Sequence, residues 1–285
     1  MSIDTLTIAV VGAGGKMGQR VSNNLKRTDA TVRYAENSPA GRERVEGLGL
    51  EVTPTAEAVT GADVVILAVP DIVLGAVSEE VVPLLDHGSI VVTLDPAAAY
   101  AGLLHQREGI EYVCAHPAHP SIFLQRTTKE EYADTFGGVA APQHAVAAVE
   151  SGKEDVRAIA ETVIRTMYAP VIDVHWVSVK QLAILEPTLV ETIACMIGEL
   201  LHEALEETVN TAGVPRAAAE ALFHGHIQVA LVNALRGDHP FSDACHIAMG
   251  HGRELIVKDD WKRVFDDAVL DETITKMLKI DAIKR

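Results

Sequence analysis

Residues 7–18 read TIAVVGAGGKMG, a short apolar run that leads directly into a glycine-rich turn. The run Thr7–Val11 is continuous and β-branched, which is typical of a strand buried on both faces. After the turn, the pattern from Met17 to Leu25 is that of a helix. A strand, a glycine turn and a helix in this order begin a dinucleotide-binding βαβ unit, so this stretch predicts an α/β fold of the Rossmann type.

The rest of the chain divides into two regions by pattern. Further apolar runs recur at intervals that leave room for helices, at residues 31–35, 64–69, 90–94, 111–115 and 145–149. Such spacing predicts parallel strands joined by helical crossovers. Residues 151–176 are interpreted as a last helix and a connector. From about residue 177 the apolar positions follow helical spacing, with no convincing strand. We therefore expect a Rossmann domain over 1–176 and an all-helical domain over 177–285.

Composition and charge exclude several classes of function. The chain has 285 residues, with 24 Lys+Arg against 40 Asp+Glu and a formal net charge of −16. This excess of negative charge disfavours binding to nucleic acid or to an anionic membrane. No apolar stretch approaches the ~20 residues of a membrane helix, and no signal peptide is recognisable. The cysteines at positions 114, 195 and 245 form no CxxC pair. The prediction is a cytoplasmic protein with no nucleic-acid or membrane partner.

The glycine-rich turn is the predicted cofactor site. Its glycines fit GxGxxxG and GxxGxxG, and both variants let backbone N–H groups approach a pyrophosphate at a helix N-terminus. Glu36 ends the second strand, where an acid hydrogen-bonds a ribose 2′-hydroxyl; this favours NAD over NADP, although nearby Arg42 would offset the preference. Two further strand ends lie at the same predicted edge, one before Asp71, a plausible helix N-cap, and one at Asp95. The predicted cofactor-binding residues are Gly12, Ala13, Gly14, Gly15, Lys16, Met17, Gly18, Glu36, Val69, Pro70 and Asp71.

Two histidines leave the sheet at the edge where the nicotinamide is expected. The fifth run continues into His116-Pro-Ala-His119-Pro120. Because proline excludes helix and restricts the preceding residue, the loop is stiff and extended. Imidazoles held in this way suit a metal ligand or an acid/base. For Asp95, which is followed by Pro96, a turn or capping role is at least as good an interpretation as a chemical one.

Glu186 interrupts the apolar face of the first helix of the second domain. At 3.6 residues per turn it falls on the buried stripe, where a carboxylate requires a partner. Pro187 follows and is expected to kink the helix. Glu186 is therefore a candidate functional residue, with a salt-bridged structural role as the alternative. Roles for Lys180, His226 and Lys258 stay open at this point.

Several of these segments together resemble a known enzyme family. Gly12–Gly18, AVPD at 68–71, HPAHP at 116–120, AILEP at 183–187 and KDDWK at 258–262 resemble the D-apionate oxidoisomerases, within the 6-phosphogluconate and β-hydroxyacid dehydrogenase superfamily. The resemblance implies NAD-dependent oxidation of a branched sugar acid, D-apionate, followed by an α-ketol shift that gives 3-oxo-isoapionate. It also implies a homodimer formed through the helical domain.

The candidate residues suit such chemistry. An α-ketol shift needs a polarised carbonyl and a stabilised alkoxide, which a divalent metal, Zn or Mg, supplies as a Lewis acid. His116 and Glu186 are the predicted metal ligands, and His119 is a further ligand or the general base. In a metal-free alternative, His116 is the base and Glu186 orients it. The competing functions are a simple NAD(P)-dependent 2- or 3-hydroxyacid dehydrogenase, a reductase similar to dihydrodipicolinate reductase, and a nicotinamide-binding sensor.

Overall fold

The computed structural model describes residues 2–150, 153–238 and 240–285. These residues form two compact units, one made of the chain up to Leu185 together with Asp271–Arg285, and the other of Glu186–Leu270. The first unit therefore extends past the predicted boundary at 176/177. It also includes the C-terminal residues, which the prediction had assigned to the helical domain. The functional division into 1–176 and 177–285 stays a prediction.

The first unit is built on a seven-stranded sheet with the order β2-β1-β3-β4-β5-β6-β7. Its strands are β1 (Thr7–Val11), β2 (Thr31–Ala35), β3 (Val64–Leu67), β4 (Ile90–Thr93), β5 (Glu111–Pro117), β6 (Gln143–Val149) and β7 (Val171–Trp176). The helices of the chain are α1 (Lys16–Leu25), α2 (Pro39–Gly47), α3 (Thr55–Val59), α4 (Asp71–Val81), α5 (Ala97–Tyr100), α6 (Lys129–Ala133), α7 (Glu154–Met167), α8 (Val179–Ala183), α9 (Met196–Asn210), α10 (Arg216–Arg236), α11 (Asp243–Ile256) and α12 (Asp267–Leu278).

The predicted α/β fold and its dinucleotide-binding half are confirmed. Strands β1 to β5 are parallel, and β3 and β4 are buried at every residue, as expected for strands covered by helices on both faces. One face packs against an apolar stripe of α7, and a second cluster of buried side chains covers the other face. The stripe follows the helical spacing of Val156, Ala160, Val163, Ile164 and Met167.

The far side of the sheet differs from the prediction in two ways. β6 was expected to be parallel but pairs antiparallel with β5, because the chain turns back through a loop and the short α6 rather than through a full crossover. β7 was expected to be a connector. It is an edge strand with mostly exposed or half-buried residues, including Asp173 and His175, so it lacks the continuous apolar run that marks the other strands.

The second unit, Glu186–Leu270, is called the helical unit below. Its described residues form no strand, so the prediction of a helical second region is confirmed. Between α8 and α9 the chain forms a π-helical segment, Ile184–Cys195, which contains Pro187. Proline has no N–H to donate and its ring crowds the carbonyl four residues earlier, which accounts for the widened turns. Further along this unit, α9 and α10 pack against each other. Among the described residues, no helix combines the length and the apolar character needed to cross a bilayer.

Candidate active site

The carboxyl ends of the parallel strands bring the candidate residues to one edge of the sheet. Register pairs Val11 with Leu67, Leu67 with Thr93, and Thr93 with Cys114. The glycine turn follows the first of these strands, and Asp95 and His116 each lie two residues beyond a paired position. Ligands of open α/β sheets bind at this edge, so the fold itself gathers these groups where a dinucleotide and its substrate would meet.

The glycine turn is shaped so closely by backbone contacts that side chains do not fit. Gly12 has φ +83°, and a Cβ there would lie 2.6 Å from the Ala68 carbonyl oxygen. At Gly14 a Cβ would collide with the Gly41 carbonyl, and at Gly18 it would collide with the Gly12 carbonyl. The N–H groups of Gly12 and Ala13 donate to the Ala35 carbonyl. Helix α1 then begins at Lys16, which is exposed. The predicted turn thus has the tight bend and close helix–strand packing of a dinucleotide site.

Glu36 lies directly after β2, and its side chain contacts the glycine turn. Its Oε2 accepts the Gly14 N–H at 3.1 Å, and its Oε1 accepts the N–H and hydroxyl of Ser38, each at 2.9 Å. Burial raises the pKa of Glu36, but these hydrogen bonds outweigh it, so the pKa lies below its usual value. The Nε–H of Arg42 donates to the Glu36 backbone carbonyl, not to the carboxylate. Glu36 is thus an ionised acid directly after β2, hydrogen-bonded to the glycine turn.

The segment after β3 is placed as predicted, with one correction. Val69 is half-buried and its side chain lies near the Gly12 Cα, while Pro70 is exposed. Helix α4 begins at Asp71, with Pro70 as its N-cap. The suggestion that Asp71 caps this helix is therefore wrong, because the bend falls one residue earlier. Met17 packs partly buried against the core below the turn.

His116, at the end of β5, has a defined tautomer. Its Nδ1 lies 3.0 Å from the Leu94 carbonyl oxygen, which can only accept, so the proton sits on Nδ1 and Nε2 carries the lone pair. Burial lowers the pKa of His116; Asp95 and the Leu94 carbonyl raise it, but the pKa remains below its usual value. The side chain is thus a neutral imidazole with one nitrogen prepared to accept a proton or ligate a metal.

Three potential ligands converge beside this imidazole. Asp95, His116 and Glu186 each offer one ligand atom, and these atoms lie within 4.8 Å of one another. Glu186 belongs to the π-helical segment Ile184–Cys195 and is buried, with 6% exposure. One oxygen of Asp95 accepts the Ala97 N–H at 2.8 Å, which orients the carboxylate. Ligand bonds of about 2.0–2.5 Å place donor atoms within roughly 5 Å of each other, so the group fits one divalent cation.

His119 lies next to this group in an unusual backbone conformation. It has φ +58°, a left-handed value that is uncommon for a residue other than glycine. Its ring meets the His116 ring edge-on, with centroids 6.0 Å apart. Its Nδ1 donates to the Phe136 carbonyl at 2.7 Å, so Nε2 is the acceptor here too.

The local sequence around Asp95 does not mark it as a site residue. An Asp-Pro pair after a strand has the local pattern of a turn, and Asp95 does initiate α5. Only the pairing of β4 with β5 shows that Asp95 lies beside His116. Of the residues left open, Lys180 is an exposed residue of α8 and Lys258 is exposed near the end of α11. His226 lines a mainly apolar cavity of about 430 Å³ between α9 and α10, within the helical unit.

The fold and the site define a dinucleotide-dependent oxidoreductase with an acid and imidazole cluster at the carboxyl ends of its parallel strands. Two family models match large parts of the chain. Residues 2–164 match the NADPH-binding domain of acetohydroxy acid isomeroreductase, and residues 124–278 match the C-terminal domain of decarboxylating phosphogluconate dehydrogenase.

Similar proteins narrow this class. D-apionate oxidoisomerase of Pectobacterium atrosepticum is 57% identical over 285 residues and covers all of both chains. The enzyme of the same name from Cupriavidus necator is 40% identical over 95% of this chain and 98% of its own. A crystal structure of a semialdehyde dehydrogenase NAD-binding protein from Cupriavidus necator, in complex with calcium and NAD, has a TM-score of 0.92 at 40% identity and covers 96% of this chain and 99% of its own. The chain therefore belongs to the D-apionate oxidoisomerase family, as its sequence motifs predicted.

Proposed function

We propose that this protein uses NAD to oxidise D-apionate and then rearranges the product to 3-oxo-isoapionate. The observation that carries this proposal is the meeting of Asp95, His116 and Glu186 at the edge of the sheet that also holds the glycine turn. A plain dehydrogenase needs a cofactor site and a proton acceptor. This site has, in addition, three potential ligands for a divalent cation close together. Such a cation suits the α-ketol rearrangement that follows the oxidation.

The substrate chemistry sets what the site has to do. At C2, next to the carboxylate, the hydroxyl loses its proton and the carbon gives up its hydrogen as a hydride, which NAD accepts. The resulting 2-oxo acid carries a tertiary hydroxyl at C3. When this hydroxyl loses its proton, a hydroxymethyl group migrates with its electron pair from C3 to C2. C3 becomes the ketone and the C2 oxygen takes up a proton, so the rearrangement itself is redox-neutral.

The chain's own residues divide this work. The glycine turn and Glu36 bind the dinucleotide at the carboxyl end of β1. Asp95, His116 and Glu186 would hold a divalent cation, which supplies Lewis acidity at the carbonyl and at the adjacent hydroxyl. The ring of His119 meets the His116 ring edge-on, and its Nε2 carries the lone pair. In this proposal His119 accepts a proton from a substrate hydroxyl. The calcium in the related Cupriavidus necator structure supports a divalent cation in this family.

The test follows both the cofactor and the carbon skeleton. Purified protein is mixed with D-apionate, NAD and Mg²⁺ or Zn²⁺, NADH is followed by absorbance, and the product is identified by carbon NMR. We expect NADH together with a migrated hydroxymethyl group, and loss of the rearrangement after exhaustive chelation. NADH with an unrearranged 2-oxo acid would instead establish a simple hydroxyacid dehydrogenase.

Replacing Glu36 by glutamine should weaken the preference for NAD. The carboxylate repels the 2′-phosphate of NADP, and two unit charges about 4 Å apart interact by ~1 kcal/mol in water and ~4 kcal/mol near a protein surface. We expect the ratio of kcat/KM for NAD over NADP to fall roughly tenfold or more in Glu36→Gln. Glu43→Gln, an exposed change on the adjacent α2, is the control and should leave the ratio unchanged. An unchanged ratio in Glu36→Gln would remove this residue from cofactor selection.

We also propose a homodimer formed through the helical region, in the cytoplasm. Large apolar side chains are exposed on the helical unit, among them Leu222, Leu235, Ile247, Leu255 and Ile256. Exposed apolar surface of this extent is typical of a protein–protein interface. Light scattering on the purified protein should give twice the chain mass of 30.5 kDa; a mass equal to one chain would contradict the dimer.

A further inference from the structure

The loop that follows α6 contains a buried carboxylate that organises its backbone. Asp134 is 9% exposed. Its Oδ1 accepts the N–H of Gly137 at 2.9 Å, and its Oδ2 accepts the N–H groups of Val139, Ala140 and Ala141 at 3.1, 2.8 and 3.0 Å. Burial raises the pKa of Asp134, but the four backbone hydrogen bonds outweigh it and hold the pKa below its usual value. One ionised side chain thus fixes the path of the backbone from residue 134 to residue 141.

The same loop is anchored to the rest of the first unit. Gly137 and Gly138 both have positive φ, and a Cβ on Gly137 would collide with the side chain of Gln143. The buried Asn24 of α1 donates to the Gly138 carbonyl at 3.1 Å and also to the Met167 carbonyl. The loop is therefore attached to α1 and to the end of α7, so its position is set by the framework that carries the glycine turn.

Phe136 connects this loop to His119 in two ways. Its carbonyl accepts the His119 Nδ1–H at 2.7 Å, and its ring packs on the imidazole with centroids 4.4 Å apart. The guanidinium of Arg20, on α1, lies over the Phe136 ring at 4.3 Å. His119 is thus held by a carbonyl and by an aromatic ring of one residue, and the backbone of that residue is flanked by the Asp134 hydrogen bonds.

We propose that Asp134 and Phe136 are positioning residues that set the tautomer and the direction of the His119 imidazole. The Phe136 carbonyl keeps the proton on Nδ1 and leaves Nε2 as the acceptor, and Asp134 keeps that carbonyl in place. The arrangement follows the general rule that a fixed partner on one ring nitrogen determines the chemistry of the other. The inference rests on the proposed function, in which His119 accepts the substrate proton.

The test compares two carboxylates of the same segment. Asp134→Asn removes the charge that accepts four N–H groups. Glu131→Gln is the control, because Glu131 also accepts hydrogen bonds, from Thr127 and Thr128, but does so on the exposed cap of α6. We expect kcat to fall about tenfold to hundredfold in Asp134→Asn with little change in the KM for NAD, and to stay unchanged in Glu131→Gln.

The tautomer of His119, measured by NMR on 15N-labelled histidine, separates a positioning role from a merely structural one. A merely structural role would leave the tautomer unchanged. The His119 signal is assigned by its loss in His119→Gln. In the unmodified protein we expect protonation at Nδ1, and in Asp134→Asn a mixture of both tautomers. Phe136→Ala, which keeps the carbonyl and removes the ring, is expected to shift the signal and lower kcat to a smaller extent. It serves as the second variant if Asp134→Asn does not fold.

The possible failures can be told apart. If His119→Gln retains full kcat for the rearrangement, the role of His119 in the proposed function is wrong and the positioning inference falls with it. If His119→Gln is impaired while Asp134→Asn keeps both the Nδ1 tautomer and kcat, only the positioning inference is overturned. The same holds if Phe136→Ala leaves the His119 signal unshifted and kcat unchanged.

Discussion

Replacement of Glu186 by glutamine is expected to lower kcat about 10²- to 10⁴-fold, the range spanned by loss of a positioned acid–base or ligand group. The substitution keeps the shape of a buried side chain and removes its charge. The ligand set with Asp95 and His116 then has one carboxylate instead of two. Affinity for Mg²⁺ or Zn²⁺, measured by calorimetry, should fall together with kcat.

The matched control for this variant lies on the same π-helical segment. Glu191 is exposed, so Glu191→Gln removes the same charge at a solvent-facing position of the segment. We expect its kcat and its cation affinity to stay within twofold of the unmodified protein. A Glu186→Gln variant that turns over at the original rate would exclude Glu186 from the site. A variant that loses kcat but keeps its cation affinity would favour the metal-free role, in which Glu186 orients His116.

Replacement of Gly18 by alanine is expected to abolish most NAD binding and to destabilise the first unit. A Cβ at this position would collide with the carbonyl of Gly12 and lie 2.9 Å from Ala13, both backbone atoms of the turn. Backbone cannot rotate away as a side chain can, so α1 must shift away from β1. Overpacking of this kind typically costs about 1–3 kcal/mol in the free energy of unfolding. The shift would also displace the N-terminus of α1, where we propose that the pyrophosphate binds. We therefore expect at least a tenfold rise in the Kd for NADH, measured by fluorescence.

Gly47→Ala is the control for this prediction. It is the last residue of α2, and a Cβ there would meet nothing within 4 Å. Alanine at such a position is expected to be neutral or to stabilise by about 0.4–1 kcal/mol. If Gly18→Ala melts and binds NADH like Gly47→Ala, the close packing of the turn is not what selects glycine at residue 18.

Most of the sheet could be predicted because burial leaves a local signature. A strand covered on both faces must be apolar at every position, as in Val64–Leu67 and Ile90–Thr93, and this pattern is readable within a few residues. β7 has no such signature, since an edge strand needs apolar side chains on few of its positions. The direction of β6 could not be predicted either. A connection that reverses the chain and one that crosses over to a parallel strand differ in their path, not in their composition.

The candidate site was predictable in part for a related reason. Histidines in a proline-stiffened loop and a carboxylate on an apolar helical stripe are anomalies in their own segments, so His116, His119 and Glu186 stood out. Asp95 did not, because its surroundings match an ordinary turn. Asp134 and Phe136 were missed as well, because two glycines follow them and the segment has the pattern of an ordinary loop.

The amino-acid sequence by itself determined the α/β class, the glycine turn, the helical character of the second region and the family. Each of these depends on residue types repeated over short spans, where periodicity and backbone sterics act locally. The tertiary structure alone decided that Asp95 joins His116 and Glu186, and that the Phe136 carbonyl orients His119. Those contacts join segments far apart in the chain, and strand register and loop packing, which depend on the whole core, set the distances between them.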